Sequence, residues 1–318
     1  MNMSFNRLID KIIETQNPTV VGLDPKLEYV PGYLREKAVK EHGANVRSAA
    51  AAIYAFNKGI IDAVCDIVPA VKIQSAYYEM YGYHGVKILC KTIKYAKKKG
   101  LFVIVDAKRN DIGATMEAYS AAYLGATDVG ASEEHEMFAA DALTVNGYLG
   151  TDGIMPALEL CKKNDKGIFV LVKTSNKSSG ELQDRKLESG ETVYEAMGAM
   201  CEKWGSDNIN DKYGYSCVGA VVGATYPEQL AEMRSKMPHT FLLVPGYGAQ
   251  GGGAEGASKA FDERGLGAVV NSSRAIMLAY RNGGYSENEF GVAALNEVIR
   301  MKQDLTSYIT MPEAPASV

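Results

Sequence analysis

Short apolar runs recur along the chain, separated by longer stretches with a different spacing. The runs cover residues 19–23, 68–73, 101–106, 142–146, 168–173, 218–223, 240–244 and 267–271. Most are apolar at successive positions, the pattern of parallel strands buried on both faces. Between them, as over 86–98 and 115–124, apolar residues fall every three or four positions, the spacing of helices that bury one side. Strand–helix alternation with eight strands predicts an α/β fold, a (β/α)8 barrel of the TIM type, as a single domain with polar loop insertions. An open doubly wound sheet is the alternative, but no glycine fingerprint follows the first run.

At the N-terminus Phe5, Leu8, Ile9, Ile12 and Ile13 keep helical spacing and are interrupted by Arg7, Asp10 and Lys11. This predicts an amphipathic capping helix lying on the body rather than a secretory signal. The barrel with that helix is expected over residues 1–307, and residues 308–318 as a flexible tail. Two polar insertions stand out, 174–192 after the fifth run and 205–216 before the sixth. A barrel builds its active site from the loops that follow strands. The first insertion is therefore a lid candidate, and the second is expected at the opposite end as inert decoration.

The 318 residues are 47% hydrophobic and 23% charged, a globular balance with enough apolar surface to offset chain ordering. A formal charge of −4 gives no broad basic footprint, so nucleic acid is not an expected partner. No run approaches the about 18 consecutive apolar residues of a membrane span. Cys65, Cys90, Cys161, Cys201 and Cys217 are scattered in or beside apolar stretches, which predicts reduced, buried thiols and a cytoplasmic protein. His42, His84, His135 and His239 lack metal-ligand spacing, and no H-E-x-x-H or G-x-S-x-G pattern occurs. No metal site is expected, and the chemistry falls to Lys and Asp.

Those residues gather at strand ends. The third run passes straight into Asp106-Ala-Lys108-Arg-Asn-Asp111-Ile. Alternation along a strand puts Asp106 and Lys108 on one side and Ala107 on the other, while Asp111 lies past the strand end. Lys72 interrupts an otherwise apolar second run, and a buried lysine needs a carboxylate, for which Asp106 on the neighbouring strand is the candidate. The first run ends in Gly-Leu-Asp24-Pro, where Asp24 is either a site residue or a turn residue. Farther on, Pro-Gly-Tyr-Gly-Ala-Gln250-Gly-Gly-Gly follows the seventh run, and Arg274 follows the eighth. Glycines let backbone N–H groups approach a ligand, and a guanidinium fork fits phosphate oxygens. Together they point to a phosphate held by the last two strand ends.

This set resembles the orotidine 5'-phosphate decarboxylases, and the stretch Lys-Thr-Ser175-Asn-Lys-Ser-Ser-Gly-Glu-Leu-Gln-Asp is similar to the longer bacterial branch of that family. The resemblance implies decarboxylation of orotidine 5'-monophosphate with no metal or organic cofactor. It assigns Lys72, Asp106, Lys108 and Asp111 to a catalytic array. It further implies a homodimer in which Asp111 and Thr115 reach into the partner's site. Asp24 and Lys72 would meet the ribose, Ser175 the pyrimidine, and Gln250 and Arg274 the phosphate. A metal-assisted sugar-phosphate decarboxylase, a Schiff-base aldolase and a non-catalytic nucleotide-binding barrel are the alternatives left by the residues alone.

Overall fold

The computed structural model describes residues 4–130, 133–248 and 252–313. Eight parallel strands close into a barrel: β1 (Thr19–Leu23), β2 (Ala70–Gln74), β3 (Phe102–Arg109), β4 (Ala142–Val145), β5 (Gly167–Lys173), β6 (Val218–Val222), β7 (Phe241–Val244) and β8 (Ala268–Ser272). They pair in chain order, and β8 returns to β1. Each lies on an expected apolar run, with ends that coincide or shift by at most three residues. A two-residue antiparallel ribbon, Thr127–Asp128 with Glu134–His135, and an isolated antiparallel bridge between Lys186 and Thr192 lie outside the barrel.

Because side chains alternate along each strand, they sort into two cores. One set, including Val21, Val71, Val103, Leu143, Val170, Ala220, Leu242 and Val270, packs outward against the helices. The other points into the barrel: Val20, Ala70, Phe102, Ile104, Ala142, Phe169, Val221, Phe241, Leu243 and Val269. Read along the strands towards their C-terminal ends, the inward rows change from apolar to polar. Lys72 follows Ala70, Asp106 follows Ile104, Thr144 follows Ala142 and Asn271 follows Val269. One end of the barrel is thus a dry floor and the other a polar mouth.

The N-terminal helix (Ser4–Thr15) closes the floor. All five of its apolar stripe residues are buried, and the Phe5 ring lies 4.9 Å from Phe169 and 5.3 Å from Phe241, centroid to centroid. Two absent side chains make room for these rings. A Cβ on Gly167 would stand 2.8 Å from the Phe5 ring, and one on Gly219 would stand 2.6 Å from that of Phe169. The helix is therefore a plug inserted into the barrel end and not merely a cover.

The 205–216 insertion does lie at this end, but it is not inert. Tyr215 is buried edge-on against Phe241 at 5.6 Å and donates to Asp262 at 2.9 Å. Lys212 and Tyr213 both bond Asp10 of the plug at 2.6 Å. A short polar loop with two tyrosines could bury apolar rings while leaving its charges outside, which polar composition alone concealed. Beyond the last helix (Phe290–Thr306), Ile309 and Met311 pack against the two cores, and Gln16 donates to Pro312 O at 2.7 Å. Cys161, Cys201 and Cys217 are buried, as expected, but Cys65, at the end of the helix Val46–Val64, and Cys90 are only half-buried. Among the described residues no helix is long and apolar enough to cross a membrane.

Phe5→Ala is expected to lower the unfolding free energy by about 3–5 kcal/mol, measured by urea denaturation, with KM unchanged. A change within about 0.5 kcal/mol, the scatter of surface substitutions, would show that the ring is no part of the core.

Candidate active site

The polar mouth is organised around one carboxylate. Register places Gln74 of β2 beside Asp106 of β3, so Lys72, two residues earlier, shares the inward face with both. Lys72 Nζ lies 2.9 Å from Asp106 Oδ2, and Lys108 Nζ lies 2.6 Å from Oδ1. Thr144 Oγ1 donates to Oδ1 at 2.9 Å, and Gln74 Nε2 to Oδ2 at 3.3 Å. Asp24 Oδ1 stands 3.7 Å from the Lys72 ammonium on its other side.

Lys108 reaches this position by an unusual backbone. β3 takes four residues from Val105 to Arg109 where β4 takes two from Leu143 to Val145. Within that bulge Lys108 has φ of +50°, in the left-handed region that costs a non-glycine residue of order 1 kcal/mol. Its N–H donates to Thr144 Oγ1 at 3.0 Å, so a single threonine ties both the strained amide and the carboxylate. Strain of this kind persists where surrounding bonds over-determine it.

Electrostatics follow from the geometry. Burial by itself would raise the Asp106 carboxyl, but the Lys72 charge, then that of Lys108, and the hydrogen bonds from both outweigh it, and the group is held far below the ordinary carboxylate range. Burial would lower the Lys72 amine, yet Asp106 and Asp24 drive it above the ordinary lysine value. Asp106 is therefore a fixed anion, and Lys72 a fixed cation with little exposure. Lys108 differs, because 45% of its side chain remains open to the cavity.

That cavity, of about 520 Å³, runs from the array to the ends of β5, β7 and β8. Asp24, Lys72, Asp106, Lys108, Ser175 and Arg274 all line it. Gly22 permits the β1 end of the wall, since a Cβ there would stand 1.9 Å from Ser273 Oγ and 3.0 Å from Asn271 Oδ1. Asp24 Oδ1 and Asn271 Oδ1 are buried without a hydrogen-bond partner, acceptors that a ligand's hydroxyl groups would satisfy. After β7 the chain turns at Gly246, whose φ of +97° suits glycine, and Gly248 and Gly252 bond back across the loop. The Tyr247 hydroxyl ties this loop to Asp304 of the last helix; burial first, then that carboxylate, pushes it up to about 12.

Two expected site residues lie elsewhere. Asp111 and Thr115 do not line the cavity of their own chain; Asp111 Oδ1 accepts from Ile112 N at 2.9 Å, and Thr115 is exposed on the first turn of the helix Gly113–Leu124. Ile112, Tyr119 and Leu149 are exposed around them, with Leu149 and Asp111 both packed about Gly153. Gln250 falls outside the described residues. Conversely, Thr144, Gln74, Asn271, Tyr77 and Tyr247 belong to the cavity wall and were not singled out from the sequence. For Thr144 and Gln74 a signal existed, as each is a polar residue at an inward position near a strand's end. Tyr77 sits in the short helix Ala76–Glu79 and Tyr247 on the loop after β7, where no such parity operates.

Comparison with known proteins gives the same picture over most of the chain. It is 47% identical over 283 residues, 89% of each protein, to an orotidine 5'-phosphate decarboxylase of Rhodopirellula baltica. The orotidine 5'-phosphate decarboxylase of Caldicellulosiruptor saccharolyticus is 42% identical, with 89% of this chain and 92% of that protein covered. Among solved structures, the OMP decarboxylase of Leishmania donovani superposes with a TM-score of 0.71 at 26% identity, covering 96% of this chain and 98% of that one. The profile of the Orotidine 5'-phosphate decarboxylase / HUMPS family matches residues 42–283, and the chain belongs to that family.

Proposed function

We propose that this carboxy-lyase removes CO2 from C6 of orotidine 5'-monophosphate to give uridine 5'-monophosphate, a step of pyrimidine biosynthesis. The observation that carries the reading is the Asp106 carboxylate, bonded on one oxygen by Lys72 and on the other by Lys108. Breaking the C6–carboxyl bond leaves an electron pair on a ring carbon that delocalises it poorly. The Lys108 ammonium, aimed into the cavity, stabilises that pair by its charge and then gives C6 a proton, and the amine regains one from water. Asp106 fixes where that ammonium sits, and Lys72 with Thr144 fixes Asp106. The charge is preorganised, so little reorganisation is needed as the carbanion forms. The chemistry asks for no metal, flavin, thiamine or pyridoxal group.

The rest of the cavity suits the remainder of the substrate. Asp24 and Lys72 face the ribose hydroxyls, and Ser175 faces the pyrimidine. Arg274, Gln250 and the glycine loop after β7 hold the phosphate. Binding energy gained at that distant phosphate draws the loops, including 174–192, over the reacting ring. Asp111 and Thr115 complete the site of a second subunit in a homodimer, a reading supported by their place outside their own cavity beside exposed Ile112, Tyr119 and Leu149. Five unpaired cysteines support a cytoplasmic setting. The charge of −4 supports a small-molecule substrate rather than nucleic acid.

Lys108→Ala is expected to lower turnover by at least about a thousandfold while uridine 5'-monophosphate still binds in calorimetry; near-normal turnover would reject the assignment. Arg274→Ala should raise KM by about 10- to 100-fold through loss of charged hydrogen bonds to phosphate, and an unchanged KM removes Arg274 from that role. Mixing inactive Lys108→Ala with inactive Asp111→Ala subunits should recover about a quarter of wild-type activity, because only mixed dimers carry one intact site. No recovery would place Asp111 in its own chain's chemistry.

A further inference from the structure

A buried charge stands just outside the cavity with no part in the array. Lys173, the last residue of β5, keeps 1% of its side chain exposed, and its ammonium lies 2.5 Å from Asp184 Oδ1. The rings of Tyr194 and Tyr226 flank it, with centroids at 5.4 and 5.1 Å. β5 gains a residue here relative to β6: Leu171 pairs with Val221, but Lys173 pairs with Val222. Leu171, Thr174 and Ser175 line the cavity, whereas Lys173 does not.

Asp184 belongs to the polar insertion, and its neighbour Gln183 clamps the other side of the same neck. Gln183 Oε1 accepts from Thr174 N at 2.9 Å, and its Nε2 donates to Thr174 Oγ1 at 2.8 Å. Behind the neck, Gly223 N donates to Lys173 O at 2.8 Å, and a Cβ on Gly223 would stand 2.9 Å from that of Ser175. Ser175 is thus seated between β6 and a loop pinned at Lys173 and Thr174.

We propose that the Lys173–Asp184 pair is a positioning device that sets Thr174 and Ser175 against the base of the nucleotide, giving the site its preference for ligands that carry a pyrimidine. The inference rests on the reading above in which Ser175 meets the base. The insertion cannot swing away from β5 without stranding a buried ammonium, which is strongly disfavoured, and two aromatic faces hold that ammonium in place. The loop neck then stays fixed against β5.

The test compares uridine 5'-monophosphate with ribose 5-phosphate on the full chain. Lys173→Met removes the charge and keeps the bulk, and it leaves the half-exposed Asp184 to water. It is expected to weaken uridine 5'-monophosphate about tenfold, to lower kcat/KM for the substrate in step, and to leave ribose 5-phosphate binding unchanged. Gln183→Leu, which strands no charge, should give the same selective loss even if Lys173→Met fails to fold. Equal loss of both ligands, or loss of neither, in the folded variants overturns the proposal. Ser175→Ala separates the two readings: wild-type nucleotide affinity in that variant rejects the base contact, while the anchor is judged on the Lys173 and Gln183 variants alone.

Discussion

Every other feature of this site depends on keeping a carboxylate ionised inside a protein. Asp106 is withdrawn from water, a position that would favour its neutral form, and two ammonium groups reverse that preference. Removing Lys72 would leave a buried charge partly uncompensated, a change worth about 3–5 kcal/mol for buried pairs. Asp106 and Asp24 balance the two ammonium groups in formal charge, and the cation left half-exposed is Lys108. An anionic substrate thus meets a cation whose position is already fixed, and the oppositely charged groups around it are what fix it.

Strand alternation supplies the scaffold for this. Three adjacent strands present inward polar residues near their C-terminal ends, so Lys72, Asp106 and Thr144 converge without any loop having to be ordered. Beneath them the inward positions turn to phenylalanine and branched aliphatics, sealed by Phe5 from the N-terminal plug. A dry floor keeps water from screening the array from below. The division of labour is physical: apolar layers at one end supply folding energy, and the charges at the other end are supported by them.

The loops form a different part of the cavity wall. The turn after β7 is held by backbone bonds across glycines and by the Tyr247–Asp304 tie to the last helix. The segment after β5 is held by Lys173, Asp184 and Gln183. Both are fixed at their necks, which under the proposed reading sets the phosphate and base contacts precisely enough for remote binding energy to act on the reacting carbon. Asp111 and Thr115 face away from this machinery, on a surface with apolar neighbours.

The amino-acid sequence determined the strand count, the barrel class and most of the array, because these rest on local rules. Doubly buried strands are read from runs of Val and Ile, and the shared face of Asp106 and Lys108 from the two-residue repeat. The need of Lys72 for a carboxylate follows from the cost of an unpaired charge. Tertiary structure alone decided the rest. The left-handed turn at Lys108, the joint hold of Thr144 on amide and carboxylate, and the cage around Lys173 each arise from contacts between strands or between a strand and a distant loop. The 205–216 insertion looked inert for the same reason: its tyrosines gain meaning only against Phe241 and Asp10, residues whose proximity is a property of the closed barrel and of no stretch of chain.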